Sequence, residues 1–165
     1  MPNTKIEPLT MESFAPYGYF SMMINPKAEK IGTPPIEFYR DMLQLDLGLV
    51  TKASFSVCRV QKRPEVINVA EYHTSCGEAL LPLDNDVLIH VAAATANDVI
   101  PYDKVKIFLV PKGMCVVLRP GVWHHAPFVD KGNYANVLTI LPERTYANDC
   151  HVFELKGNHK VVIER

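Results

Sequence analysis

Apolar and polar positions alternate with period two over several short stretches of the chain, and helical periodicity is scarce. The clearest case is residues 52–60, where Phe55, Val57 and Arg59 share one face and Ser54, Ser56 and Cys58 the other. Strands are expected over 19–24, 66–70, 78–83, 87–94, 105–110, 114–118, 122–126, 134–141 and 151–155. Asn25-Pro26 closes the first of them, and Pro111-Lys112-Gly113 and Arg119-Pro120-Gly121 turn the chain on either side of 114–118. Asp84-Asn85-Asp86 and the stretch 129–133 sit between apolar runs and have the chemistry of hairpin turns. Thr10 is placed to cap a short helix over 11–15, with Glu12 near its positive end and Pro16-Tyr17-Gly18 ending it. Residues 27–35 are charged or turn-forming and read as a solvated loop. Phe38, Met42 and Leu45 recur at helical spacing, which predicts a helix over 36–45, with extended structure as the competitor. Many short strands and little helix predict an all-β sandwich or barrel.

Composition narrows the class. At 165 residues, 48% hydrophobic and 21% charged, the chain can bury a core of its own and is expected to be one domain over 1–165, without a linker or an internal repeat. A net charge of -1 and the lack of a basic stripe argue against nucleic acid or an anionic membrane as partner. No apolar run approaches the roughly 18 residues of a membrane span, and the first residues lack the apolar segment of a signal peptide, so a cytoplasmic location is expected. Cys58, Cys76, Cys115 and Cys150 are scattered and read as small core residues, with Cys76 the one placed to be reactive.

Two clusters carry candidate chemistry. In Glu71-Tyr72-His73-Thr74-Ser75-Cys76-Gly77-Glu78, strand parity puts Glu71 and His73 on one face and Tyr72 on the other, and the turn through Gly77 lets Glu78 return to the same place. In Val122-Trp123-His124-His125, the same parity separates His124 from Trp123 and His125, so one imidazole points inward. Carboxylate oxygens and imidazole nitrogens are ligands that Zn, Mn, Fe(II) or Ni accept, which makes Glu71, His73, Glu78 and His124 candidate metal ligands. A second carboxylate at 78 favours a cation, because two neighbouring carboxylates are costly to ionise without one. Arg119 is a candidate carboxylate clamp or a turn residue facing solvent, and Arg59 a clamp or a surface charge. His90 reads as a packed structural histidine, His151 and His159 as surface residues, and Met22 and Met23 as core filler.

The spacing Glu-x-His-x4-Glu from Glu71, followed later by Arg-Pro-Gly-x-x-His from Arg119, resembles the paired motifs of cupin barrels, with Glu71 standing where the first His is usual. More narrowly, the whole chain resembles the ureidoglycolate lyase family, also called ureidoglycolate hydrolase. The opening from Glu7-Pro8-Leu9-Thr10 to Phe14-Ala15-Pro16-Tyr17-Gly18 carries the resemblance, as do Glu71-Tyr72-His73, Ala79-Leu80-Leu81-Pro82-Leu83 and Asn148-Asp149-Cys150; Gly121-Val122-Trp123-His124-His125 is its most specific part. Tyr72 replaces the family's Arg, Glu78 its Gln, and Leu118-Arg119-Pro120 its Tyr-His-Arg or Tyr-His-Lys.

The resemblance implies a cupin-type jelly-roll β-barrel with a short N-terminal helical segment, and cleavage of ureidoglycolate to glyoxylate and urea. For that reaction Glu71, Glu78 and His125 are the expected catalytic residues and Arg59 and Arg119 the expected substrate-binding ones, with a divalent cation expected on Glu71, His73, Glu78 and His124, a small acid as substrate, and a homodimer. The N-terminal region is expected to cover a sheet edge or exchange with the partner. The departures motivate two other readings: a metal-dependent cupin isomerase or lyase acting on another small hydroxy or keto acid, and a non-catalytic cupin that binds a small ligand.

Overall fold

The computed structural model describes all 165 residues. Its elements run β1 (Asn3–Glu7), α1 (Met11–Phe14), β2 (Gly18–Met22), β3 (Ile31–Thr33), β4 (Ile36–Phe38), β5 (Ala53–Gln61), β6 (Val66–Ile67) and β7 (Val69–Tyr72). They continue with β8 (Glu78–Pro82), β9 (Val87–Val91), β10 (Lys106–Val110), β11 (Met114–Leu118), β12 (Phe128–Val129), β13 (Tyr134–Pro142), α2 (Thr145–Asn148), β14 (His151–Glu154) and β15 (Val161–Glu164). A six-stranded sheet, β12-β9-β10-β1-β15-β6, and a five-stranded sheet, β2-β11-β8-β13-β5, make the two layers, and β14-β7 and β3-β4 are separate two-stranded pairs. This is the expected cupin-type jelly roll, all-β with α1 near its start. No helix is long and apolar enough to cross a membrane.

The turn residues lie where the sequence puts them, but they do a different job. Asp84-Asn85-Asp86 joins β8 of one sheet to β9 of the other, Pro111-Lys112-Gly113 joins β10 to β11, and 129–133 joins β12 to β13, again between sheets. Each is a corner of the jelly roll, and at Asp84-Asn85-Asp86 and 129–133 it replaces the hairpin that local chemistry predicts. The aspartates fasten these corners: Asp84 accepts from Asn136 N at 2.8 Å, and Asp86 accepts from Lys112 N at 2.8 Å, tying one corner to the next.

Burial follows the two-layer plan. Alternate residues of β9 divide between two apolar clusters: Val87, Ile89 and Val91 pack with Phe14, Phe108, Val116 and Leu118, while Leu88 and Ala92 pack with Ile67, Ile107, Trp123 and Phe128. A strand covered on both faces explains why all of 87–91 is buried and apolar side chains do not alternate with exposed polar ones there. Trp123, 1% exposed, anchors the second cluster; its ring meets Tyr72 edge-on at 4.6 Å, and its Nε1–H donates to Thr95 Oγ1 at 3.0 Å. Trp123→Ala is expected to cost about 3–5 kcal/mol of stability, read as a lowered urea midpoint at unchanged slope.

Three expectations need correction. No helix spans 36–45: Ile31 pairs with Phe38 and Thr33 with Ile36 in the β3–β4 hairpin, which also occupies part of the loop expected over 27–35. Asp41, at φ +52, takes a left-handed backbone conformation that a helix cannot use, and Leu43 and Leu45 pack on Ala79, Cys115 and Val117 of the five-stranded sheet. The stretch 122–126 is not a strand but two isolated bridges, Glu71 to His124 and Ala92 to Trp123. Strands β1 and β15 are additions, beside β3, β4 and β12. β1 runs parallel to both β10 and β15, a non-local pairing without a local sequence signature. β15, with Val161 and Ile163 buried and Val162 and Glu164 half-buried, does alternate, but over only 4 residues.

Candidate active site

The end of β7, the start of β8 and the segment around His124 meet on one side of the barrel. The Glu71 and His124 backbones pair directly, Glu71 N donating to His124 O at 2.6 Å and His124 N to Glu71 O at 2.8 Å. Between β7 and β8, Asp149 pins the turn: its carboxylate accepts from Thr74 N and Ser75 N, both at 2.8 Å, and from Ser75 Oγ at 2.9 Å. Gly77 is required there by close approach, since a Cβ would lie 2.6 Å from Leu118 O. Gly121, at φ +80, turns the second segment so that its N–H donates to His73 O at 2.7 Å.

These constraints bring His73, Glu78 and His124 together, all buried, with one ligand atom from each lying within 4.8 Å of the others. Glu78 Oε2 is 3.1 Å from His73 Nε2 and 2.7 Å from His124 Nε2. The opposite ring nitrogens are committed: His73 Nδ1–H donates to Asp149 O at 2.7 Å and His124 Nδ1–H to Val122 O at 2.8 Å. In their neutral tautomers both Nε2 atoms therefore offer a lone pair to a carboxylate oxygen, and nothing in that arrangement supplies a positive charge. Either protons or a metal cation must fill the gap. Backbone carbonyls that fix the tautomer and aim Nε2 are the usual support of a metal-binding histidine, and ligand spacings near 3 Å match neighbouring positions around a cation at about 2.1 Å. The donor set fits a divalent cation.

The electrostatics agree in direction. Burial alone would raise the Glu78 carboxyl, but His124 and His73 outweigh it and hold it down at about 2. Burial opposes charging of His124, yet Glu78 keeps its imidazole above the ordinary value. His125 is pushed the other way, chiefly by burial and also by His124 and Arg63, against the pull of Glu71.

A cavity of about 180 Å³ opens beside the trio, with Glu71, His73, Glu78 and His125 on its polar side and Leu80, Pro127 and Leu141 on its apolar side. Cys58 and Cys150 also line it, and Tyr146, 73% exposed, stands in its wall. His125 reaches the cavity although strand parity assigns it the opposite face from His124, because no strand enforces that parity. Trp123 and Tyr72 turn away as expected, Tyr72 stacking on His151 at 4.7 Å and bonding Asp98.

Other residues stand elsewhere than expected. Glu71 lies outside the three-ligand group, its Oε2 accepting from the Cys150 thiol at 3.2 Å. Arg59 is exposed on the outer face of β5, its guanidinium 4.5 Å from the Tyr134 ring centre, and Arg119 is exposed with its guanidinium 5.6 Å from the Tyr19 ring centre. Neither lines the cavity. Cys76 is buried against Thr145, and burial pushes its thiol up to about 11, so it is not a reactive cysteine. His90 is packed as expected; burial pushes its imidazole down to about 3, and neither ring nitrogen has a hydrogen-bond partner.

Three contributors escaped the sequence reading. Asp149 and Cys150 figure in it as part of a family motif, and Cys150 also as a small core residue, yet they hold His73 and Glu71. Arg63 sits in an apparently solvated Lys-Arg-Pro-Glu string, but its guanidinium donates to Ala126 O and Pro127 O, each at 2.8 Å, and lies 4.0 Å from the Phe128 ring centre, fixing the segment that carries His125.

The profile of the family described as ureidoglycolate lyase matches residues 1–163. The chain belongs to the ureidoglycolate lyase family. A ureidoglycolate lyase of Rhodobacter capsulatus is 33% identical over 146 residues, covering 86% of this chain and 89% of that one. A second, from Burkholderia cepacia, is 29% identical over 127 residues, 75% of this chain and 71% of the other. Among solved structures, a dTDP sugar isomerase of Desulfovibrio desulfuricans G20 superposes with a TM-score of 0.49 at 12% identity, covering 87% of this chain and 89% of that one. The converging His73, Glu78 and His124 have the donor atoms and spacing to hold a metal ion.

Proposed function

We propose that this protein is a carbon-nitrogen lyase that cleaves ureidoglycolate to glyoxylate and urea, working as one cupin-like domain over 1–165. The observation that carries the reading is a family match over 1–163 in a chain whose buried His73, Glu78 and His124 converge, with His73 and Glu78 lining a cavity that also receives Glu71 and His125. Cavity size and polarity suit a small hydroxy acid.

The reaction needs a proton removed from the C2 hydroxyl and one delivered to the departing urea nitrogen as the carbon-nitrogen bond breaks and the hydroxyl carbon becomes a carbonyl. Glu71 is the base in this scheme: Oε2 is held by Cys150, and Oε1 is free to take the hydroxyl proton. The carboxylic acid so formed returns the proton to nitrogen, leaving the enzyme as it began. His125, kept neutral by burial, donates a hydrogen bond to the ureido group without adding a charge to the cavity. His73, Glu78 and His124 would hold a divalent cation, Zn, Mn, Fe(II) or Ni, which when bound would lower the hydroxyl pKa and attract the substrate carboxylate. Glu78 also orients both imidazoles.

Purified protein given ureidoglycolate should release urea and glyoxylate in equal amounts. The second reading, a metal-dependent lyase or isomerase for another small hydroxy or keto acid, is favoured by the distance of Arg59 and Arg119 from the cavity, and metal-loaded protein that releases no urea would select it.

The same reading includes a cytoplasmic homodimer. Four free cysteines suit a reducing compartment. β5 is a sheet edge carrying Phe55 and Val57 at 70% and 58% exposure, and the β3–β4 hairpin leaves Ile31, Ile36 and Phe38 at 56%, 78% and 62%. A second copy would cover such a surface. Phe55→Glu should convert dimer to monomer by light scattering; wild-type protein that is already monomeric at micromolar concentration would remove the homodimer.

A further inference from the structure

We infer that Cys150 is a positioning residue for the reaction: its thiol grips one oxygen of Glu71 so that the other faces the cavity as the base. The inference rests on the reading of Glu71 as that base. The Sγ–H to Oε2 contact, 3.2 Å, is the one hydrogen bond the Glu71 side chain makes, and both residues line the cavity. A carboxylate at the end of a flexible side chain has several rotamers, and a single fixed donor selects among them.

Cys150 is itself held from both sides. Asp149, before it, accepts from His73 through its carbonyl and pins Thr74 and Ser75 through its carboxylate. His151, after it, opens β14, which pairs antiparallel with β7 in the register His151 to Tyr72 and Val152 to Glu71. The thiol is therefore carried by a segment anchored to the strand that bears Glu71 and to the loop that bears His73. One short stretch aligns the base and a metal-site imidazole relative to each other.

The chemistry of the group suits that role and excludes others. Burial first, then the hydrogen bond to Glu71 and the charges of Glu71, Glu78 and Asp149, push the thiol up to about 12, so it remains S–H and a donor near neutrality. A thiol that rarely ionises is neither a nucleophile nor a ready metal ligand. It is also a weak donor, which orients a carboxylate while leaving its electron pairs available for the proton it must accept.

The test uses full-length, metal-loaded protein and five variants: Cys150→Ala, Cys150→Ser, Glu71→Gln, Glu71→Gln combined with Cys150→Ala, and Glu71→Ala. Cys150→Ala should lower kcat about tenfold, the effect of losing one hydrogen bond to a charged group, with KM within about twofold. Cys150→Ser should restore most of it, since a hydroxyl donates from nearly the same place. In the Glu71→Gln background, Cys150→Ala should have no further effect, because a residue acting through Glu71 has nothing left to position. Wild-type kcat in Cys150→Ala, or equal losses in the Ala and Ser variants, would overturn the inference while leaving Glu71 as the base. Full kcat in Glu71→Gln would overturn both. Independently of turnover, the S–H stretching band that disappears in Cys150→Ala should sit at hydrogen-bonded frequency in the parent protein and move to the free position in Glu71→Ala; a band unmoved by Glu71→Ala also rejects the contact.

Discussion

His124→Gln should strip the protein of divalent metal and, with it, of urea release, while the fold survives. The glutamine amide can donate to the Glu78 carboxylate, which His124 Nε2 approaches at 2.7 Å, so the buried charge is not left bare. Alanine would make a poorer test, because a buried carboxylate deprived of a partner costs about 3–5 kcal/mol and loss of metal would be confounded with loss of structure. The amide cannot also replace Nδ1–H at Val122 O, a contact of 2.8 Å, and giving that up costs on the order of 1 kcal/mol. Outer-shell changes at metal sites typically cost about 10–100-fold in affinity, so removing a ligand should exceed that range. Metal retained after dialysis, measured by plasma mass spectrometry, should fall from near one per chain to background, with an unchanged far-ultraviolet dichroism spectrum. Stoichiometric metal in the variant would reject His124 as a ligand.

How far such a site can be read from the chain depends on which interactions are local. Parity within 69–73 puts Glu71 and His73 on one side and Tyr72 on the other, and the structure keeps that division, because β7 is a real strand with its ladder to β14. Parity fails at 122–126, where isolated bridges replace a strand and His125 reaches the same cavity as Glu78. Turn residues were legible as bends but not as crossings between layers, since Asp84-Asn85-Asp86 has the same composition whether it closes a hairpin or turns a jelly-roll corner. β5 shows a further limit. Its most apolar side, Phe55 and Val57, faces outward, and Cys58 of the more polar side lines the cavity, the reverse of what burial of hydrophobic residues alone would choose. Arg59 shares that outward side, which is why its position at a strand end does not make it a clamp. Arg63 and Cys150 act through contacts 64 and 79 residues away in sequence, beyond the reach of any local pattern.

Glu71→Gln separates the base from the metal site more cleanly than any other substitution. Sequence spacing groups Glu71 with the ligands, whereas the structure keeps it out of the trio and gives its Oε2 to Cys150. Glutamine is nearly isosteric, its amide oxygen can accept from the same thiol, and the backbone pairing with His124 at 2.6 and 2.8 Å does not involve the side chain. What the substitution removes is the capacity to take a proton. The expected result is a fall in kcat of about 10²–10⁴-fold, the usual worth of a positioned general base, with KM little changed because ground-state contacts persist. Metal content should stay at the parental level. A protein that loses metal as well as activity would return Glu71 to the ligand set, and one that keeps full kcat would move the base elsewhere in the cavity, with His125 next in line by position. The two measurements together, turnover and metal, therefore decide whether the carboxylate at 71 serves the substrate or the cation.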